Sequence, residues 1–245
     1  MCFRQVAQTM TGPPSFIFFD LGQTLIDEWD FLAYFDQQFL EILNGFGARI
    51  DQRNYHAVRD SLIRDRKIGY GSVKELIVEV CRILSPPGYD KVIASRLEPR
   101  LKQGRHDLLR FFDEAEPTLR ALSKYYEMGI IANQSKDIIE LIEKAGFDRF
   151  FKVQAISSSL KLKKPDSKIF EFALKQAGCR AMDCMMVGDR LDTDICPANT
   201  LGMTTIRTTN SLFALQVPAR ACERPAYTVT RLSEIPRILE SVIIS

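Results

Sequence analysis

The chain has 245 residues, enough to bury a sizeable core as one domain or as a domain carrying an insertion. With 46% hydrophobic and 26% charged residues it has the composition of an ordinary globular protein, and no apolar run approaches the roughly 20 residues of a membrane helix, which excludes a membrane span. A formal net charge of +2, with the two signs interspersed, excludes the electrostatic footprint of a nucleic-acid or anionic-membrane binder.

Residues 1–14 read as a floppy lead-in ending in Thr-Gly-Pro-Pro, without the long apolar segment of a secretory signal. Phe16 to Phe19 form a wholly apolar run that stops at Asp20 and Gly22, as a strand buried on both faces should. A helical stripe follows at Phe31, Phe35, Phe39, Ile42, Leu43 and Phe46, and its aromatic residues read as the core of a helical segment. Tyr55, Val58 and Leu62 mark a second helix. Val73, Leu76, Ile77, Val80 and Leu84 mark a third, stopped by Ser85-Pro86-Pro87-Gly88, and a fourth spans about 89–111.

After Glu116-Pro117 helices alternate with short apolar strands, the pattern of a parallel sheet. One helix runs to Tyr126 and another to Ala145, with a strand over Gly129 to Ala132 between them. Further strands fit Lys152 to Ile156, Cys184 to Val187 and Met203 to Ile206. Helices fit near 166–177 and 192–200, and Tyr227 to Thr230 makes a last edge strand. The expected fold is therefore a doubly wound, Rossmann-like α/β sheet, built from residues 15–25 and 113–245, with an inserted α-helical cap domain over 26–112.

Ligands of such sheets bind beyond the carboxyl ends of the strands. Asp20 ends the first strand there, and Asp189, Asp192 and Asp194 follow Met185-Met186-Val187-Gly188. An Asp in such a place also serves as a helix cap or turn residue, and Asp192 reads as a helix N-cap on its own. The six cysteines lack CxxC pairs, and with His56 and His106 as the only histidines a zinc site has little to work with. The cysteines read as reduced thiols of a cytoplasmic protein, and the histidines as surface or capping residues.

FIFFDLGQTLID, KKPDSKIF and MMVGDRLDTDI, in that order, resemble three of the four signature motifs of the haloacid dehalogenase superfamily, and GFDRFF with Gly202-Met203 resembles its helical-cap subfamily. The resemblance covers residues from about 15 to 245 and implies a magnesium-dependent phosphatase. Asp20 would be the nucleophile that forms an aspartyl-phosphate, and Lys164 would pair with phosphate and keep Asp20 ionised. Mg²⁺ would be held by Asp20, the Gly22 carbonyl, Asp189 and Asp194, with Asp192 or Asp194 orienting bound water. Pro165 would sit in the first turn of the following helix.

Two positions depart from the family pattern. The second Asp, a general acid/base usually worth about 10²- to 10⁴-fold in rate, is Gly22 here, with Gln23, Asp27 and Glu28 close in sequence. The hydroxyl residue of the second motif is Ala132, with Asn133 and Gln134 adjacent as substitute phosphate donors. In the cap, Tyr70 within Gly69-Tyr70-Gly71-Ser72 is the candidate for substrate choice. The leading expectation is hydrolysis of a small phosphorylated metabolite, at reduced activity, by a monomer or homodimer. Gly22 and Ala132 leave open a non-catalytic descendant that binds a phospholigand or a protein, and a 2-haloacid dehalogenase is a minor alternative.

Overall fold

The computed structural model describes residues 14–70, 73–85 and 88–244. The lead-in up to residue 13, the Gly71-Ser72 half of the tyrosine connection, the Pro86-Pro87 helix stop and Cys2 lie outside the described residues, as does the His106 side chain. The chain divides into two compact units, Met1–Ile26 with Phe111–Ser245, and Asp27–Arg110.

Strand β1 (Phe16–Phe19) has all four residues buried, as a strand flanked on both edges and both faces must. The chain then runs through β2 (Ile26–Asp27) into four helices, α1 (Trp29–Gly45), α2 (Gln52–Arg64), α3 (Val73–Leu84) and α4 (Asp90–Leu108), and returns by β3 (Arg110–Phe111). Within this helical unit Phe31, Phe35, Phe39, Leu43 and Tyr55 are buried, and the Phe39 and Tyr55 ring centroids are 5.4 Å apart. Phe46 of the aromatic stripe is half-buried with its ring 4.9 Å from that of Tyr89, while the other three phenylalanines are core, as their spacing implied. Asp36 is buried among these rings and accepts from Tyr55 Oη at 2.6 Å and Arg59 Nη1 at 2.6 Å, with His56 Nε2 at 2.9 Å. His56 is thereby corrected from a surface or cap residue to a partner of a buried carboxylate, whose cost of burial its three neighbours offset.

The first unit continues as α5 (Ala115–Leu122), β4 (Glu127–Ala132), α6 (Asp137–Lys144), β5 (Val153–Ile156), α7 (Ser157–Leu160), α8 (Ser167–Ala177), β6 (Cys184–Gly188), α9 (Cys196–Leu201), β7 (Thr204–Thr208), β8 (Tyr227–Val229) and α10 (Ile235–Ile244). The six-stranded sheet has the order β5-β4-β1-β6-β7-β8, and every pairing is parallel. Chain progression reverses about β1: β4 and β5 extend to one side and β6, β7 and β8 to the other. A crevice at such a switch point opens at the strands' carboxyl ends. Phe19 pairs with Ile130 and with Val187, so the residues after β1, β4 and β6 emerge at one edge.

Three sequence expectations change here. Asp166, not Pro165, begins α8: its carboxylate accepts from Lys168 N at 3.0 Å, which leaves Pro165 outside the helix, after a cis Lys164–Pro165 bond. The helix expected at 192–200 starts as one turn of π-helix, Leu191–Ile195, because Asp194 N and Ile195 N both donate to Arg190 O. Cys196 and Cys222 are joined in a disulfide with Cα atoms 4.5 Å apart, so the reading of all cysteines as thiols is corrected. Folding brings this pair together across 26 positions, where Asn199 Nδ2 donates to Cys222 O at 2.8 Å and Arg224 O at 2.9 Å.

Candidate active site

Asp20, Asp189 and Asp194 meet at the carboxyl ends of β1 and β6, with one carboxylate oxygen from each within 4.8 Å of the other two. Lys164 reaches them from the segment before α8, and its Nζ lies 2.5 Å from Asp20 Oδ1 and 2.5 Å from Asp194 Oδ1. All four side chains are buried. Three carboxylates facing one ammonium in a dry site cannot all stay ionised at ordinary cost. Burial accordingly raises the Asp20 carboxyl to about 6, with Asp194 adding to the rise and Lys164 opposing it. Burial, then Asp194 and Asp20, hold Asp189 well above the usual carboxylate range. Burial opposes the Lys164 charge, but the two carboxylates outweigh it and raise its pKa.

Gly188 makes this convergence possible. A Cβ there would stand 2.6 Å from both Cβ and Cγ of Asp194, so only a residue without a side chain lets β6 pass so close to that carboxylate. Asp194 is fixed further by Arg190 N, which donates to its Oδ2 at 2.9 Å. Asp192 is not an N-cap: its carboxylate binds Arg190, accepting from Nε at 3.0 Å and from Nη2 at 2.8 Å, while the guanidinium stacks 4.2 Å from the Phe213 ring centre. Asp192 therefore holds Arg190 beside the site.

Asn133 has a role the sequence did not suggest. Its Nδ2 donates to Lys164 O at 2.9 Å and its Oδ1 accepts from Lys164 N at 2.8 Å, so both ends of the amide grip the lysine backbone. Its expected role as a phosphate donor rests on the sequence reading alone. Ala132 is fully buried, and Gln134 O accepts from Ser157 Oγ at 3.3 Å. Gly22 makes a bridge with Ile26 in the turn after β1. Tyr70 belongs to the helical unit and is 53% exposed; its substrate role rests on the resemblance alone.

Arg207 and Ser211 had no flag as site residues in the sequence, and Gln23 was noted there only for lying close to Gly22. Arg207, buried in β7, donates to Asp189 O at 3.2 Å, Gln216 O at 3.0 Å and Phe213 O at 2.7 Å, tying the 208–216 segment to Asp189. The Ser211 side chain hydrogen-bonds Asp189 and favours its charged form. Gln23 Oε1 accepts from Leu212 N at 2.9 Å. No local signal marked Arg207, because the expected strand ended at Ile206 and the observed one runs on to Thr208.

The haloacid dehalogenase-like hydrolase model matches residues 17–208. The chain belongs to this family. Its relatives include the glyceraldehyde 3-phosphate phosphatase of Methanocaldococcus jannaschii, 27% identical over 232 residues, which are 92% of this chain and 97% of that protein. The pyrimidine 5'-nucleotidase YjjG of Escherichia coli is 28% identical over 225 residues, 91% of this chain and 96% of its own length. Among solved structures, the HAD-hydrolase YfnB of Bacillus subtilis bound to magnesium has a similar fold, with a TM-score of 0.66 at 18% identity, over 93% of this chain and 99% of that one. Family membership and the buried Asp20–Lys164–Asp189–Asp194 cluster thus coincide in one place.

Proposed function

We propose that this haloacid dehalogenase-like hydrolase is a Mg²⁺-dependent phosphatase acting on a small phosphate monoester. The observation that carries the reading is Lys164 Nζ at 2.5 Å from both Asp20 and Asp194, beside Asp189. Relatives named for phosphorylated triose and nucleotide substrates support it.

Magnesium suits the donor set. Three hard oxygen donors converge with more negative charge than one lysine balances, and burial already resists ionisation of Asp20 and Asp189. Asp20, Asp189 and Asp194 would hold the ion, with the Gly22 carbonyl as a further oxygen. When bound, Mg²⁺ supplies charge neutralisation to carboxylate and phosphate together.

This chain's residues do the rest. An ionised Asp20 oxygen attacks phosphorus and forms the P–O bond of an aspartyl-phosphate as the bond to the ester oxygen breaks; the leaving alkoxide takes a proton from water. Lys164 holds Asp20 ionised and pairs with the transferring phosphoryl group, and Asn133 keeps Lys164 in place. Water then hydrolyses the phosphoenzyme, releasing phosphate and restoring Asp20. No carboxylate follows Asp20 at Gly22, so the second half of the cycle is the slower one.

Gly22 and Ala132 together favour a second reading, a descendant that binds phospholigands without turnover. A panel of activated aryl phosphates and small metabolite phosphates with Mg²⁺ separates the two. Hydrolysis by the wild type and its abolition in Asp20→Asn are expected. Equal inertness of both proteins, with phosphate-analogue binding retained, would establish the second reading instead.

A further inference from the structure

Among the described residues, five buried side-chain atoms without a hydrogen-bond partner lie on two short segments. Gln23 Nε2 and Thr24 Oγ1 are in the turn after β1; Thr208 Oγ1 and both amide atoms of Gln216 are on the 208–216 segment. The two segments are joined directly, since Gln23 Oε1 accepts from Leu212 N at 2.9 Å across 189 positions of sequence. Buried donors and acceptors in folded proteins are nearly always satisfied, and where no protein group does so an ordered water or a ligand oxygen does. The groups left over here are amides and hydroxyls with no net charge. Arg207, the nearby cation, donates to the carbonyls of Asp189, Phe213 and Gln216. The chemistry therefore selects a neutral hydrogen-bonding occupant, which is water.

Gln23 has two further properties. Its backbone sits at φ 52, the left-handed region that a non-glycine residue enters only under strain, and such strain persists where the surroundings hold it. Its Oε1 is used by Leu212 N, the residue after Ser211, the partner of Asp189; Nε2 is then the free end of an amide that stands three residues from Asp20 in sequence.

We propose that Gln23 is a positioning residue for phosphoenzyme hydrolysis: it registers the 208–216 segment against the Asp20 turn and holds an ordered water on Nε2. The amide orients this water and does not take its proton. It thus supplies part of what Gly22 lacks. The inference rests on the phosphatase reading above.

Two measurements test it. A high-resolution crystal structure of the substrate-free protein should place a water about 2.7–3.2 Å from Gln23 Nε2. A bare Nε2 overturns the inference. In rapid-quench kinetics with an aryl phosphate, Gln23→Leu removes both amide contacts, while Gln23→Glu keeps the acceptor for Leu212 N, exchanges the amide donor for a carboxyl oxygen and adds an ionisable group. Both should leave kcat/KM near wild type, lower kcat roughly 10- to 100-fold, and raise the fraction of enzyme trapped as aspartyl-phosphate. Parallel losses of kcat and kcat/KM without extra trapped phosphoenzyme, in folded Gln23→Glu, would indicate a merely structural role and overturn it. A wild type that is never phosphorylated overturns the phosphatase reading and this inference with it. A wild type that is phosphorylated and turns over, with variants that match it, overturns this inference alone.

Discussion

At Gly188 a single missing Cβ decides whether the carboxylate cluster can form. Alanine there would place its methyl 2.6 Å from Asp194 Cβ, and Asp194 is buried, so it has no room to yield. Gly188→Ala should cost about 1–3 kcal/mol and displace Asp194 from Lys164. Urea unfolding and phosphatase assays on the same preparation check this, with a lower midpoint and reduced activity expected; a wild-type midpoint would show that β6 shifts freely. Asp20, Asp189 and Asp194 were legible in sequence because they follow apolar strands, whereas Lys164 was picked out of a basic loop only by the resemblance of its motif. Ser211 and Arg207 were not legible there, nor were the contacts made by Asn133 and Gln23. Their roles consist of contacts to Lys164, Asp189 and Leu212, which lie far along the chain, and no local pattern encodes such partners.

Elements built from uniform apolar runs, such as β1 and β6, appeared where the sequence placed them, because burial on both faces leaves a one-residue-scale signature. The segment from 189 to 201 was harder. Its π-turn satisfies Asp194 and Arg190 through bonds that propensity does not foresee, and the disulfide at Cys196 anchors it to Cys222. That bond closes a loop across 26 positions containing Arg207 and Ser211, both of which hold Asp189. Cys222→Ser should therefore destabilise the oxidised protein by about 3–4 kcal/mol on the loop-entropy model, and a dithiol reductant should lower the wild type toward the variant. Thermal melts with and without reductant measure this; superimposable wild-type curves would show that the bond contributes nothing.

Across the whole molecule, the buried acids couple stability to pH and to the proposed metal. Asp20 is raised to about 6 and Asp189 also upward. A carboxyl raised on folding stabilises the fold fully below its unfolded pKa, about 4, and loses that contribution as pH rises through its folded value. Metal-free protein should thus lose stability as pH rises from about 4 to 6 and beyond, read as a falling urea midpoint across that range. Saturating Mg²⁺ at neutral pH should restore on the order of 5 °C in melting temperature, and Asp189→Asn should lose that gain. A melting temperature indifferent to Mg²⁺ would argue against the ion site.

The sequence alone determined the α/β class, the position of the helical insertion and the acidic and basic residues worth testing, because hydrophobic periodicity and strand-end motifs are local and follow from burial and backbone geometry. Only the tertiary structure decided that Lys164 bridges two carboxylates, that Asn133 grips the lysine, that Asp192 serves Arg190, that His56 serves Asp36, and that Cys196 meets Cys222. Those outcomes depend on which distant segments the parallel sheet sets side by side. A charge pair or a disulfide exists only once folding has spent the chain entropy needed to bring its two ends within a few ångströms.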